Sequence, residues 1–502
     1  MGYLTAPEIE AAMTALATPA VPADGLCTKT ALPNPTVSEG IGPTTYSYLK
    51  IGNGSGPGRV TVLAIAGMHA REWAQPDAVI SFAQKLLAAY RGSTAFVIPA
   101  YTEGGNTFGP VSVDAATIKA MLDRMDILLV PLANPDGRAF SQDPSGSLRW
   151  RKNRAPRPPG GSDDTVGVDL NRNFDIGWDF DTFYSAAFIA SRALHSSKDP
   201  ADEKFIGKPL PAPQSSHPNS EPEVRNLIWI LDHHPVTYSV DLHSALLKVM
   251  HPWGIERNGT VTTQNFRNPI HDRGGTGPER DGNLPGNAYS EFFPNTPPAR
   301  LLDRHGVIVR SIGDGIRAAT GRSYGVGGIA DVVYPATGSF TDFHFSRQFT
   351  IGGSPEIHAF AAEFGHPVDD GFQPDFTAPN GFARIEREVH ALLLRLLEAA
   401  LPPPPAAPPP AGGKKKCFFS MAAADLVAGA GWLDTLRRGR AALLAGARTR
   451  GAMLALDRLY RRVGNPLVPL IAERRWAKCA IAYGLVAPAA GVTALALKWR
   501  AR

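Results

Sequence analysis

Short apolar runs, regularly interrupted, set the first expectations. The run RVTVLAIA, Arg59 to Ala66, is almost continuously apolar, has strand length and stops at Gly67, as a strand buried on both faces does. Val79, Phe82, Leu86 and Tyr90 then recur at helical spacing, and Pro76, with its fixed φ, suits the first turn of that helix. The pattern predicts further strands at Asp126–Leu132, Tyr238–Leu242 and Ile357–Glu363, and helices at Glu223–His233 and Ala383–Ala400. Strands and helices alternating in this way predict an α/β fold, a mixed parallel and antiparallel sheet flanked by helices on both faces. In such sheets the chemistry gathers in loops at strand ends.

The periodic pattern ends at Leu401–Gly413, LPPPPAAPPPAGG, a run that cannot pack into a core and acts as a semi-rigid spacer. It divides the 502 residues into a body (1–400), a linker (401–413) and a tail (414–502). Charge divides there too. Lys414 to Arg502 holds 17 Lys and Arg against 4 Asp and Glu, so a tail of +13 hangs on a body of −8 within a net +5. Such asymmetry marks a tail that meets something anionic. Its stretch Cys479–Leu497 is 19 residues without a charge, bracketed by Arg474, Arg475 and Lys478 on one side and Lys498, Arg500 and Arg502 on the other. Two readings stay open for it: a membrane span of residues 479–497, which its length and flanks allow, or a buried amphipathic hairpin, which Pro488 and the many alanines favour.

Composition changes this picture little. With 43% hydrophobic and 19% charged residues the body can bury a large core, as soluble globular proteins do. Of the three cysteines only Cys27 lies in the body, so the body holds no internal disulfide, which fits a reducing compartment. Met1–Glu8 has neither a basic start nor an apolar run, so no secretory signal is expected and the chain is placed in the cytoplasm, with membrane association through the tail.

Candidate chemistry begins directly after the first strand, at Gly67-Met68-His69-Ala70-Arg71-Glu72-Trp73. A histidine and a glutamate three residues apart can converge on one ion if the strand ends in a turn, and catalytic zinc takes three protein ligands with a fourth position open. His243, after the strand-like run Tyr238–Leu242, is the best third candidate. An H-x-x-E pair alone is weak evidence. His233 and His234 end a predicted helix, where a dipole contact suffices. His217, His305, His344, His358, His366 and His390 have no partner spacing and are expected to be structural or solvent-exposed.

What lifts the pair out of coincidence is its company. Asn134-Pro135-Asp136-Gly137, Arg149 to Arg154, Gly167 to Asn173, Ser220 to Glu223, Asp241 to Ser244, Tyr334 to Gly338 and Ala362-Glu363-Phe364 follow in order. Asp136 and Gly137 are expected to make a turn, and Ser220 to cap the next helix. Glu363, in an apolar strand, is expensive there unless it is functional. Arg151 and Arg172, in arginine-rich loops, divide evenly between solvent and site when taken alone.

Together these motifs resemble the zinc metallocarboxypeptidase family, whose familiar members are the digestive carboxypeptidases A and B; the resemblance spans about Tyr3 to Ala400. It implies one Zn²⁺ held by His69, Glu72 and His243, and Glu363 as the general base that deprotonates a water at the metal. It implies Arg151 as the arginine that steadies the oxyanion, and Asn171 with Arg172 as the grip on a free terminal carboxylate. Tyr334 matches the mobile tyrosine that closes over the substrate, and Arg71 a secondary carboxylate-binding arginine. Thr341, seven residues after the tyrosine, matches the position lining the pocket for the terminal side chain; lacking charge, it favours a neutral or apolar residue.

The chain departs from the digestive members in showing neither a signal nor an inhibitory pro-domain. The tail, with Lys414-Lys415-Lys416-Cys417-Phe418-Phe419, faintly resembles a bacterial C-terminal module called the CFI-box, with Phe419 where isoleucine is usual. The expected partners are peptide or protein C-termini as substrate and a membrane at the tail, and no nucleic acid. Two other functions stay open: an amidase of the same fold acting on cell-wall or other non-standard peptides, and a catalytically silent, anchored peptide-binding protein. The complete set His69, Glu72, His243 and Glu363 speaks against silence, because binding alone needs no general base.

Overall fold

The computed structural model of the chain describes residues 2–18, 24–54, 58–182, 186, 189, 194–207, 218–255, 301–351, 354–368 and 371–402. The linker beyond Pro402, the basic tail, its expected span at 479–497 and His217 lie outside the described residues. Among the described residues no helix is long and apolar enough to cross a membrane.

Eight strands build the central sheet: β1 (Cys27–Ala31), β2 (Ser47–Ile51), β3 (Val60–Ala66), β4 (Met125–Val130), β5 (Val236–Ser244), β6 (Lys248–His251), β7 (Gly325–Gly328) and β8 (His358–Phe364). They lie in the order β1-β2-β4-β3-β5-β8-β6-β7. The four central strands β4, β3, β5 and β8 are parallel to their neighbours in that set. β1, β2 and β6 join antiparallel, and β7 pairs parallel with β6. The sheet is therefore mixed, as expected. Because the central four run the same way, their C-terminal ends share one edge, and four of the motifs meet there.

Alternation along each strand sends side chains to two cores. In β3, Val62, Ala64 and Ala66 face the layer formed by helices Ala6–Ala17, Ala74–Gly92, Leu301–Thr320 and Phe382–Ala400. Leu63 and Ile65 face the opposite layer, which contains helices Pro222–His233 and Phe340–Thr350. A strand covered on both sides has no polar face, which is why Arg59–Ala66 reads as an almost continuously apolar run.

Several local expectations are corrected. Asn134 to Gly137 is no simple turn: Pro135–Gln142 is a helix, and the Asn134 side chain caps it by accepting from Gly137 N at 3.0 Å. The helix after Ser220 has Glu221, not Ser220, as its N-cap, with Pro222 at the first position and no side-chain cap bond. The Ala74–Gly92 helix, by contrast, places Pro76 in its first turn, as expected. His305 and His358, expected to be structural or solvent-exposed, are structural: Nε2 of His305 lies 2.9 Å from Nδ1 of His358.

Candidate metal centre and substrate site

At the end of β3 the chain turns through Gly67 at φ +65°. A Cβ there would come within 2.7 Å of Leu132 Cδ1 and 3.0 Å of Pro76 Cγ, so glycine is required both by conformation and by space. The turn delivers His69 and Glu72 to the sheet edge. Asn134 braces it from the next strand end: its Nδ2 donates to Met68 O at 3.1 Å and to Lys152 O at 3.2 Å. His243, one residue from the end of β5, arrives on the same edge.

His69, Glu72 and His243 each offer a ligand atom, and these atoms lie within 4.8 Å of one another. His69 Nδ1 is 2.8 Å from Glu72 Oε1, His243 Nδ1 is 3.1 Å from Glu72 Oε2, and the two Nδ1 atoms are 3.1 Å apart. All three residues are buried. Two imidazole nitrogens and a carboxylate facing one point, inside the protein, form the donor set that suits a catalytic zinc. Burial alone would raise the Glu72 carboxyl, but the adjacent His69 and His243 hold it well below the usual carboxylate range.

The far nitrogen of each imidazole meets a buried carboxylate. His69 Nε2 is 3.3 Å from Asp169 Oδ1, and His243 Nε2 is 2.7 Å from Asp241 Oδ2. The Asp241 bond fixes the His243 ring and leaves its Nδ1 as the metal-facing atom, whereas Asp169 faces His69 Nε2 without forming a hydrogen bond. Sequence reasoning gave these two aspartates no role, although both stand inside quoted motifs, two residues before Asn171 and two before His243.

Asp169 also ties the metal loop to the arginines. Arg151 Nε donates to its Oδ2 at 2.9 Å, while among the described residues neither Nη group of Arg151 meets a hydrogen-bond partner. Burial would lower the Arg151 pKa, yet Asp169 first and then Tyr334 push it up, so the guanidinium stays charged. Asn171 links three parts of the site: Nδ2 lies 3.0 Å from His243 Nε2 and 3.3 Å from Asp241 Oδ2, and Oδ1 accepts from Phe340 N at 2.9 Å. Arg172 Nε donates to His195 O and Nη1 to Asn171 O, both at 2.6 Å, which leaves Nη2 without a partner among the described residues. Gly338, at φ +69°, lets the following loop run against this arginine, because a Cβ there would come within 2.2 Å of Arg172 O.

Glu363 pairs in register with His243 across β8 and β5. Its Oε2 is enclosed and has no hydrogen-bond partner among the described residues. Burial pushes the Glu363 carboxyl up to about 7, against the pull of His243 and Arg151.

Three further expected residues make the following contacts. Tyr334 stacks on His195. Arg71 pairs with Glu203 at 2.8 Å and lies over the Phe372 ring at 4.2 Å. Thr341, in the Phe340–Thr350 helix, is almost wholly buried, with its hydroxyl 3.4 Å from Phe360 O. The neighbouring Asp342 is occupied by backbone amides, Gly254 N at 2.9 Å and Ile255 N at 2.7 Å.

Several known proteins are similar to this chain. Mouse carboxypeptidase A4 is 28% identical over 300 residues, 60% of this chain and 51% of the mouse protein. Human carboxypeptidase A1 is 30% identical over 207 residues, 41% of this chain and 38% of the human protein. The chain thus spans about half the length, or less, of these curated relatives. Bovine thrombin-activatable fibrinolysis inhibitor, solved in complex with tick carboxypeptidase inhibitor, superposes with a TM-score of 0.52 at 17% identity, covering 79% of this chain and 97% of that one. Carboxypeptidase A from Helicoverpa armigera gives 0.50 at 20% identity, covering 80% and 74%. These structural likenesses show the fold. The sequence profile of the family described as zinc carboxypeptidase matches residues 44–378, the stretch that carries every residue of the site, and the chain belongs to that family.

Proposed function

We propose that this protein is a zinc-dependent metallocarboxypeptidase that hydrolyses the C-terminal peptide bond of peptides or proteins. The observation that carries the reading is the convergence of His69, Glu72 and His243 on one point, with the unpartnered carboxylate oxygen of Glu363 in the adjacent strand. These three residues would hold one Zn²⁺. When bound, zinc supplies a Lewis acid that polarises the substrate carbonyl and brings the pKa of a water toward neutrality.

The chain's own groups do the rest. Glu363 accepts a proton from the attacking water at Oε2 and later gives it to the nitrogen of the departing residue. The water oxygen stays on the acyl carbon as the C–N bond breaks, so peptide and water become a shortened peptide and one free amino acid. Arg151, held through Nε by Asp169, keeps its Nη groups for the negative charge that develops on the carbonyl oxygen. Arg172, fixed through Nε and Nη1, presents Nη2 beside Asn171 to the terminal carboxylate, and Tyr334 closes over the bound end. Arg71 serves a second carboxylate or carbonyl nearer the peptide body.

The terminal side chain preferred is neutral or apolar. Thr341 carries no charge, and the carboxylate beside it, Asp342, is already taken up by Gly254 and Ile255 amides. The partners are accordingly peptide or protein C-termini. Cytoplasmic placement and membrane contact through the tail are proposals from sequence.

Equilibrium dialysis against zinc tests the metal assignment. We expect one ion per chain, and loss of that ion in His69→Ala. Retention of stoichiometric zinc by His69→Ala would remove the assignment. Hydrolysis of amidated peptides in preference to free acids would favour the amidase reading.

A further inference from the structure

Tyr334 does not stand alone at the site. Its ring lies face to face with the His195 imidazole, with centroids 3.7 Å apart and planes within 6°. The backbone around His195 reinforces the contact from both sides. His195 N donates to Pro335 O at 2.9 Å, in the tyrosine's own loop. His195 O accepts from Arg172 Nε at 2.6 Å. Ser196 Oγ accepts from Thr337 N at 3.0 Å, so the next residue grips the same loop farther along. One short segment therefore touches both the carboxylate-gripping arginine and the loop that carries the closing tyrosine.

We propose that His195 is a positioning residue for Tyr334: its imidazole is the plane on which the phenol rests when the tyrosine covers the site. The inference rests on the reading of Tyr334 as the residue that closes over the substrate. Two observations place the stacked ring at the site rather than away from it. Tyr334 is near enough to act electrostatically on Arg151, and the stack is anchored to Arg172 through His195 O. The imidazole in the stack is neutral at neutral pH, because partial burial and then the positive charges of Lys204, Arg172 and Arg151 hold His195 down to about 4. Stacked aromatic pairs attract modestly, enough to shift the occupancy of one position about 2–10-fold without locking it. That is the strength a lid residue needs if substrate must enter and product leave.

The test is a double-mutant cycle read as separate kcat and KM with a free-acid peptide. His195→Ala should raise KM about 2–10-fold with kcat little changed, and His195→Phe, which keeps a flat ring, should restore most of the loss. In the Tyr334→Ala background His195→Ala should have no further effect on KM. An equal KM change in both backgrounds, or failure of phenylalanine to restore what alanine loses, overturns the proposal and leaves His195 as a structural residue. If Tyr334→Ala alters KM while His195→Ala does not, only the positioning role fails. If Tyr334→Ala itself alters neither constant, the reading of the tyrosine falls, and the proposal with it.

Discussion

Glu363 and His243 occupy facing positions in adjacent parallel strands, so the carboxylate proposed to move protons stands beside a proposed metal ligand set by the same sheet. Neither position depends on a mobile loop, which makes the separation of their roles testable. Glu363→Gln should lose at least about 10²-fold in turnover while zinc stoichiometry stays unchanged, since an amide accepts no proton from water. Parallel assays of peptide hydrolysis and bound metal check this. Activity above a tenth of the unsubstituted enzyme would reassign the base.

Arg172 is fixed through two of its nitrogens and offers the third. Arg172→Ala should weaken use of free-acid peptides about 10–100-fold, the worth of a charge-assisted hydrogen bond, and change use of their amides much less. The ratio of kcat/KM for matched acid and amide peptides reads this directly. Equal losses would take the carboxylate grip away from this residue.

Asp241 holds the far nitrogen of His243, as Asp169 faces that of His69. Asp241→Asn should leave the three ligands in place but lower zinc affinity about 10–100-fold. A chelator competition titration gives the affinity without reference to activity. Unchanged affinity would show that the contact has no bearing on the metal.

Glu223, which has no proposed part in the chemistry, gives a pH prediction. Burial first, and then the charge of Glu221, raise its carboxyl from the ordinary 4.5 to about 8. A group whose folded pKa is raised stabilises the fold below the unfolded value and loses that contribution as pH climbs through the folded one. For Glu223 the loss runs from about 4.5 to about 8. Glu223→Gln, which cannot ionise, should therefore leave the unfolding midpoint nearly unchanged at low pH, and raise it by a few degrees above the window. Thermal unfolding at both ends of the window measures the difference, and an equal gap at both would contradict it.

The parts of this architecture legible in the sequence are those that depend on near neighbours. The apolar run ending at Gly67 is a local signal for a buried strand and its turn, and the observed strand begins one residue later than the expected run. His69 and Glu72 carry their own spacing, and Glu363 stands out because a charge in an apolar strand needs a reason. Asp169 and Asp241 did not stand out. Their meaning lies in contacts with rings that other strands deliver, and an aspartate near a strand end has many ordinary uses. His195 is the extreme case, since its partners Arg172 and Tyr334 lie 23 and 139 residues away in the sequence. The helix at Pro135–Gln142 was hidden by turn-forming residues that in fact serve its cap, Asn134 above all. Thr341 was reached through resemblance alone; its burial and its hydroxyl contact with Phe360 O are set by helix packing on β8.

The central claim is that this chain removes single residues from free C-termini with a zinc ion held by His69, Glu72 and His243. The most direct measurement is mass analysis of a mixed peptide library incubated with the zinc-loaded full chain, with and without chelator. The account predicts products shortened by one C-terminal residue, chiefly after loss of a neutral or apolar one, with no cleavage in chelator and recovery on adding zinc. Internal cleavage, amide-only cleavage, or hydrolysis that persists after the metal is removed would contradict it.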